Sequence, residues 1–353
     1  MRLKVHQMKL FRFLLVIFLV FTINCLTYSQ DIPKGHIAPA PLYRDPVTDG
    51  AADPVMVWNR EEKKWWMLYT QRRANVESAD VAYCYGNPIG VASGENNGRT
   101  WVYRGTLELN FERGQNTFWA PEVVYNRGEY HMFVVYIQGV RSHWGGTARM
   151  AHYVSKNLWD WKFLGLLTLT SENVIDATVM QMPDGKWRMW YKDQQRGSVT
   201  MTAESDDLYK WQIHNEPAIG GIPHEGPKAF RFADYYWMIT DEWHGMRIYR
   251  SKDATNWEKQ GLILDTASNR TEDTPSGAHG DVIVVDGRTY VFYFTHPGRK
   301  NHNEAPIGTN GIIPFNLRRS SIQVAPLQFK DGTLICNRNK PFDYWLTEPV
   351  PGK

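Results

Sequence analysis

The chain has 353 residues, 42% hydrophobic and 14% aromatic, with 40 Lys+Arg against 37 Asp+Glu. Residues 1–30 hold four of the basic side chains, Arg2, Lys4, Lys9 and Arg12, and no acidic one, so the remainder counts 36 against 37, about −1. Such a near-neutral chain has ample apolar content for a core and lacks the basic footprint of a nucleic-acid binder, so nucleic acid is not an expected partner.

In chain order, the basic N-terminus runs into an apolar stretch from Phe13 to Ile23, too short to span a bilayer comfortably, and reads as an export signal. Thr27 and Ser29 supply small residues before a cut after Ser29. This predicts a signal peptide over residues 1–29 and one periplasmic or extracellular domain over 30–353, with no membrane span. Lipidation at Cys25, behind bulky Asn24, is the minor alternative. Cys84 and Cys336 then remain, in no CxxC or Cys/His spacing, and either pair or stay buried and free.

From Ala51 onward a pattern recurs five times: "AADPVMVWNREEKKWWMLYTQ" from Ala51, "WAPEVVYNRGEYHMFVVYIQ" from Trp119, "VIDATVMQMPDGKWRMWYKDQ" from Val174, "HEGPKAFRFADYYWMITDEW" from His224 and "AHGDVIVVDGRTYVFYFTH" from Ala278. Each begins with a polar or carboxylate-bearing residue, alternates as a strand, turns, and continues into a strand dense in Trp, Tyr and Met. A second unit follows, a short strand, a turn and a Trp, ending at Trp101, Trp161, Trp211 and Trp257. The fifth copy, "RRSSIQVAPLQFKDGTLIC", has the third and fourth strands but lacks the Trp. Four strands per repeat, with no 3.6-residue periodicity, predict an all-β, five-bladed β-propeller. The stretch "IAPAPLYRDP" is expected to complete the last blade, and no linker divides the chain.

In a propeller the innermost strands line the channel, so the residues that start them gather at one end. Those residues are Asp53, Glu122, Asp176, Glu225 and the pair His279/Asp281. Pro54 and Gly226-Pro227 stiffen the backbone beside Asp53 and Glu225. Two rigidly held carboxylates across a pocket are the minimum for glycoside hydrolysis, and Asp176 between them would raise the pKa of Glu225. Asp-Pro and Glu-Gly-Pro also start strands for turn reasons alone, so the inference rests on three carboxylates at one repeat phase.

At these motifs the sequence resembles glycoside hydrolase family 43, five-bladed propeller enzymes acting on arabinofuranosides, xylosides and some galactans. The "ADP", "WAPEV", "IDA", "EGP" and "HGD" segments carry the resemblance, from Ala51 to Tyr293. It implies Asp53 as general base, Asp176 as the residue that tunes and orients the acid, Glu225 as general acid, and inversion at the anomeric carbon. His279 resembles the family histidine that approaches a channel calcium or its waters; no other cofactor is implied, and a monomer is expected.

The expected reaction is exo-cleavage of a terminal arabinofuranose, xylose or galactose from plant or algal polysaccharide fragments. Arg72 and Arg73 form a pair suited to an anionic or highly hydroxylated sugar, or are solvated charges on a loop. Trp119 and Trp144 are the candidates for stacking on a sugar ring, while His143, Arg141, His224, Trp243 and His244 are candidates for hydroxyl contacts. A retaining fructan-type enzyme would show Asn-Asp-Pro-Asn and Glu-Cys-Pro motifs, which are absent. A non-catalytic carbohydrate-binding propeller would keep the aromatic pocket without needing three carboxylates.

Overall fold

A computed structural model describes residues 36–301 and 303–349; the expected export signal, the expected cut after Ser29 and Cys25 lie outside these residues. Five four-stranded antiparallel sheets, each with its strands in chain order, form five blades. Blade 1 contains Ala51–Asn59, Lys64–Gln71, Ile89–Glu95 and Thr100–Thr106, and blade 2 contains Thr117–Asn126, Glu129–Ile137, Arg149–Ser155 and Lys162–Leu166. Blade 3 is Val174–Gln181, Trp187–Asp193, Val199–Ser205 and Gln212–Ile219; blade 4 is Glu225–Phe232, Tyr235–Asp241, Met246–Ser251 and Glu258–Ile263. Blade 5 is Ala278–Val285, Arg288–Thr295, Ser321–Lys330 and Thr333–Ile335. The first strand of each blade neighbours that of the next, and the fifth returns to the first, which closes the expected propeller.

The recurring Ser…Trp unit is a turn. Ser155, Ser205 and Ser251 each accept backbone N–H bonds from residues just downstream, and Leu158, Leu208 and Ala254 adopt φ of 67, 71 and 57°. The indoles of Trp161 and Trp211 then donate back to the carbonyls of Leu158 and Leu208. Local hydroxyl-to-backbone bonding thus ends the third strand of each of these blades. The second strands supply the bulk between blades: Trp66, Trp190 and Trp237 are fully buried.

Side chains stitch the innermost strands together. Glu122 accepts from Val179 N at 2.8 Å, Thr178 Oγ1 from Ala229 N at 3.3 Å, and Asp281 from Met56 N at 2.7 Å. Lys228 Nζ lies 2.8 Å from Glu122 and 2.7 Å from Asp281. Blades 2 and 4 are not neighbours, so the Glu122–Lys228–Asp281 contact crosses the channel, and with the Val179 and Met56 N–H bonds it ties all five blades. Glu122 and Asp281, expected in the pocket, instead form this buried layer. The reason is a register shift near the start of every innermost strand, which separates residues at the mouth from those one layer below.

Blade closure also differs from expectation. The N-terminal stretch does not complete blade 5, because the chain turns at Asp331-Gly332 and pairs Thr333–Ile335 on that edge. His36–Ile37 instead pairs with Asp343–Tyr344 in a separate ribbon, and Tyr43 bridges Ile322. Trp65 of blade 1 holds the C-terminal tail through a 2.7 Å bond to the Thr347 carbonyl. Both cysteines are free, Cys84 buried and Cys336 half-buried.

Candidate active site

Asp53 and Asp176 sit inside the bulges of blades 1 and 3 with φ of 48 and 57°. Gly226, with φ 55°, occupies the matching slot of blade 4, so Glu225 stands one residue earlier than its two companions. The three carboxylates therefore converge without sharing one phase, which corrects the repeat argument. Glycine is required at 226: a Cβ there would lie 2.7 Å from the His279 ring.

Each carboxylate has a defined partner. Arg72 Nη2 is 3.5 Å from both oxygens of Asp53. The Arg72 guanidinium lies over Phe294 at 4.7 Å, and its Nη1 reaches His296 Nε2 at 3.4 Å. His296 Nδ1 lies 2.8 Å from the Arg319 carbonyl and so carries the proton, which leaves Nε2 to accept. Asp176 Oδ2 accepts the Gly226 N–H at 3.0 Å, and Glu225 Oε2 accepts from Lys192 Nζ at 3.0 Å. His279 Nδ1 lies 3.6 Å from Asp53 and 4.0 Å from Asp176.

Burial pushes Asp176 up to about 6, with Glu225 and Asp53 adding to the rise and His279 and Lys192 opposing it. Asp241, which sequence reasoning missed, is pushed up to about 7 by burial and then by Glu225, its cross-strand partner. The N–H groups of His279 and Trp243, at 2.9 and 2.6 Å, hold its two oxygens. Burial lowers His279, but Asp176, Asp53, Glu225 and Asp241 outweigh it, and the net movement is upward. Lys192 was missed as well; the only signal for either residue was a charge at the end of an apolar second strand.

A consequence for stability follows from Asp176. Its folded pKa lies above the unfolded value, so the stability it contributes is present below about 4 and lost as pH rises through about 6. Asp176→Asn stays neutral throughout and should be more stable than the parent at pH 8, by up to about 3 kcal/mol, with the gain vanishing near pH 4. Thermal melts at the two pH values measure this; an unchanged difference would show that the Asp176 charge is not the cause.

The carboxylates form the floor of a pocket of about 500 Å³ lined also by Arg72, Trp119, Trp144, Trp243 and His279. Trp119 packs on Tyr85 with centroids 4.8 Å apart, and Trp144, 60% exposed, leans on both. Other expected contacts lie elsewhere. His224 is fully buried, with Nε2 2.7 Å from Thr200 Oγ1 and Nδ1 2.7 Å from the Ile222 carbonyl. His143 is exposed and does not line the pocket. Arg73 is spent on the carbonyls of Tyr85 and Ala82, Arg141 folds back on Gly145, and His244 faces Glu242.

The pocket walls are uneven. The loops from second to third strand span residues 72–88 in blade 1, 138–148 in blade 2 and 296–320 in blade 5, but only 194–198 in blade 3 and 242–245 in blade 4. As for a channel calcium, no group of three or more His, Cys, Asp or Glu that could hold a metal exists among the described residues. An ion on the axis below the site would also meet the Lys228 ammonium, so these donors do not fit direct coordination.

Carboxylates held at the floor of a pocket over a propeller channel are the equipment of a glycoside hydrolase. The family model for glycosyl hydrolases family 43 matches residues 102–306, more than half of the chain, and the chain belongs to that family. Asp53 lies outside the matched residues. No curated protein matches. Among solved structures, a family-43 β-1,3-galactosidase with galactodeoxynojirimycin is similar at 16% identity and TM-score 0.61, covering 88% of this chain and 100% of that one. An exo-1,5-α-L-arabinanase from a bovine ruminal metagenomic library gives 16%, 0.56, 84% and 100%. A β-xylosidase/α-arabinofuranosidase from a compost metagenome, with xylotriose, gives 15%, 0.59, 86% and 98%. Identities this low carry the fold and not the substrate. Among the described residues no helix is long and apolar enough to cross a membrane.

Proposed function

We propose that the protein is an exported, exo-acting, inverting glycosidase that removes a terminal arabinofuranose, xylose or galactose from a plant or algal polysaccharide fragment. The observation that carries this reading is the convergence of Asp53, Asp176 and Glu225 in one pocket, with the long second-to-third-strand loops on blades 5, 1 and 2. Asp53 takes a proton from the water that attacks the anomeric carbon, and Glu225 gives a proton to the departing glycosidic oxygen. Asp176 holds the backbone beside Glu225 through the Gly226 N–H and adds a negative charge close to it. Arg72 orients Asp53 from the opposite side. The substrates named for the structural neighbours support the choice of these three sugars.

Aryl α-L-arabinofuranoside, β-D-xyloside and β-D-galactoside test the sugar, and proton NMR of the first product tests the stereochemistry. Release with inverted anomeric configuration is expected; retention would remove the base role from Asp53. Export is tested on the secreted protein, whose first residue should be Gln30; an acylated Cys25 at the N-terminus would instead mark a lipoprotein.

A further inference from the structure

The uneven walls give the bound substrate a direction. A general acid stands beside the glycosidic oxygen, so the departing sugar lies on the Glu225 side of the scissile bond, over blades 3 and 4. Those blades carry the short loops, 194–198 and 242–245. On the other side, the long loops of blades 5 and 1 are tied together: Asp80 N donates to the Gly311 carbonyl at 2.9 Å, Ala79 bridges Ile312, and Arg299 donates to Tyr83 Oη at 2.9 Å. Trp144 of blade 2 closes on Tyr85 at 6.0 Å. These contacts join the loops of blades 5, 1 and 2 opposite the short ones.

The low side carries one large aromatic side chain of the pocket lining, Trp243. Its φ is 62°, a left-handed conformation that bulky residues avoid. Buried Asp241 holds it there, accepting the Trp243 N–H at 2.6 Å with one oxygen while the other holds the His279 N–H. The indole faces Lys192 Nζ at 5.2 Å, and that ammonium bonds Glu225 at 3.0 Å. A bulky residue kept in an unfavourable conformation by a buried carboxylate beside the acid marks a functional position, and an indole face suits the C–H face of a sugar.

We infer that Trp243 is the platform for the leaving-group sugar and sets the selectivity of the site for what is attached to the released residue. The inference rests on Glu225 being the acid. On this geometry the terminal sugar sits under the stitched loops and the rest of the chain leaves across blade 4.

The test compares kcat/KM for a disaccharide and for the glycosyl fluoride of whichever sugar, L-arabinofuranose, D-xylose or D-galactose, the aryl glycosides identify. Fluoride replaces the departing sugar and leaves nothing to stack. Trp243→Ala should lose at least tenfold more on the disaccharide than on the fluoride, and Trp243→Phe should recover most of that difference. Equal losses on both substrates would overturn the inference, since Trp243 would then serve the terminal sugar or the fold. No loss on the disaccharide would overturn it too. The underlying reading fails separately, if Glu225→Gln matches the parent on the disaccharide. Release of none of the three sugars would overturn both.

Discussion

Glu225→Gln is expected to lower kcat on disaccharides by about 10²–10⁴-fold, the usual contribution of a positioned general acid. The loss on the glycosyl fluoride of the same sugar should be far smaller, because fluoride departs without a proton. Asp53→Asn should cost a similar factor on both substrates, because activation of the attacking water does not depend on the leaving group. The contrast between the two variants separates acid from base more sharply than either loss alone. A Glu225→Gln enzyme equally impaired on fluoride and disaccharide would show that Glu225 does not protonate the leaving group. Lys192 Nζ lies 3.0 Å from Glu225 Oε2, and Asp241 is the cross-strand partner of Glu225.

Lys228→Met is the largest expected loss of stability. Burial pushes Lys228 down, but Asp281 and Glu122 more than reverse it, so the ammonium keeps its charge inside the channel. Removing it leaves two carboxylates, 4% and 3% exposed, facing each other without a counter-ion. Breaking a buried ion cluster in this way costs on the order of 3–5 kcal/mol, or roughly 5–10 °C in Tm for a domain of this size. The triple variant Glu122→Gln, Lys228→Met, Asp281→Asn removes the stranded charges and should recover most of the loss. Differential scanning calorimetry distinguishes the two. A single variant as stable as the parent would mean that the cluster contributes nothing net to holding the five blades.

Much of the fold was legible because each blade repeats a local rule. Alternating strands, the Ser…Trp turn and the Trp-rich second strand are read within one repeat, and each depends on bonds between residues close in sequence, such as Trp161 to Leu158. Blade closure was not legible in this way. The fourth strand of the last blade lies in a segment the sequence marked, but where residues 37–46 go depends on contacts between the two ends of the chain, and no local pattern shows that.

The site shows the same division. Asp53, Asp176 and Glu225 were recognisable because proline, glycine and strand starts mark them, and the structure brings them to one pocket. Glu122 and Asp281 carry the same marks and lie one layer deeper, because a bulge of a single residue decides which side of the channel mouth a side chain meets. His224, next to Glu225 in sequence, turns both ring nitrogens into the protein, while Asp241 and Lys192, at the ends of second strands, stand against Glu225. The sequence by itself determined the blade number and the family likeness and marked Asp53, Asp176 and Glu225 as candidates, since these follow from local periodicity and residue chemistry. The tertiary structure alone decided the partners of each carboxylate, the buried lysine that ties the channel and the low wall beside Trp243, because those arise where strands from different blades meet and where loop lengths differ around the ring.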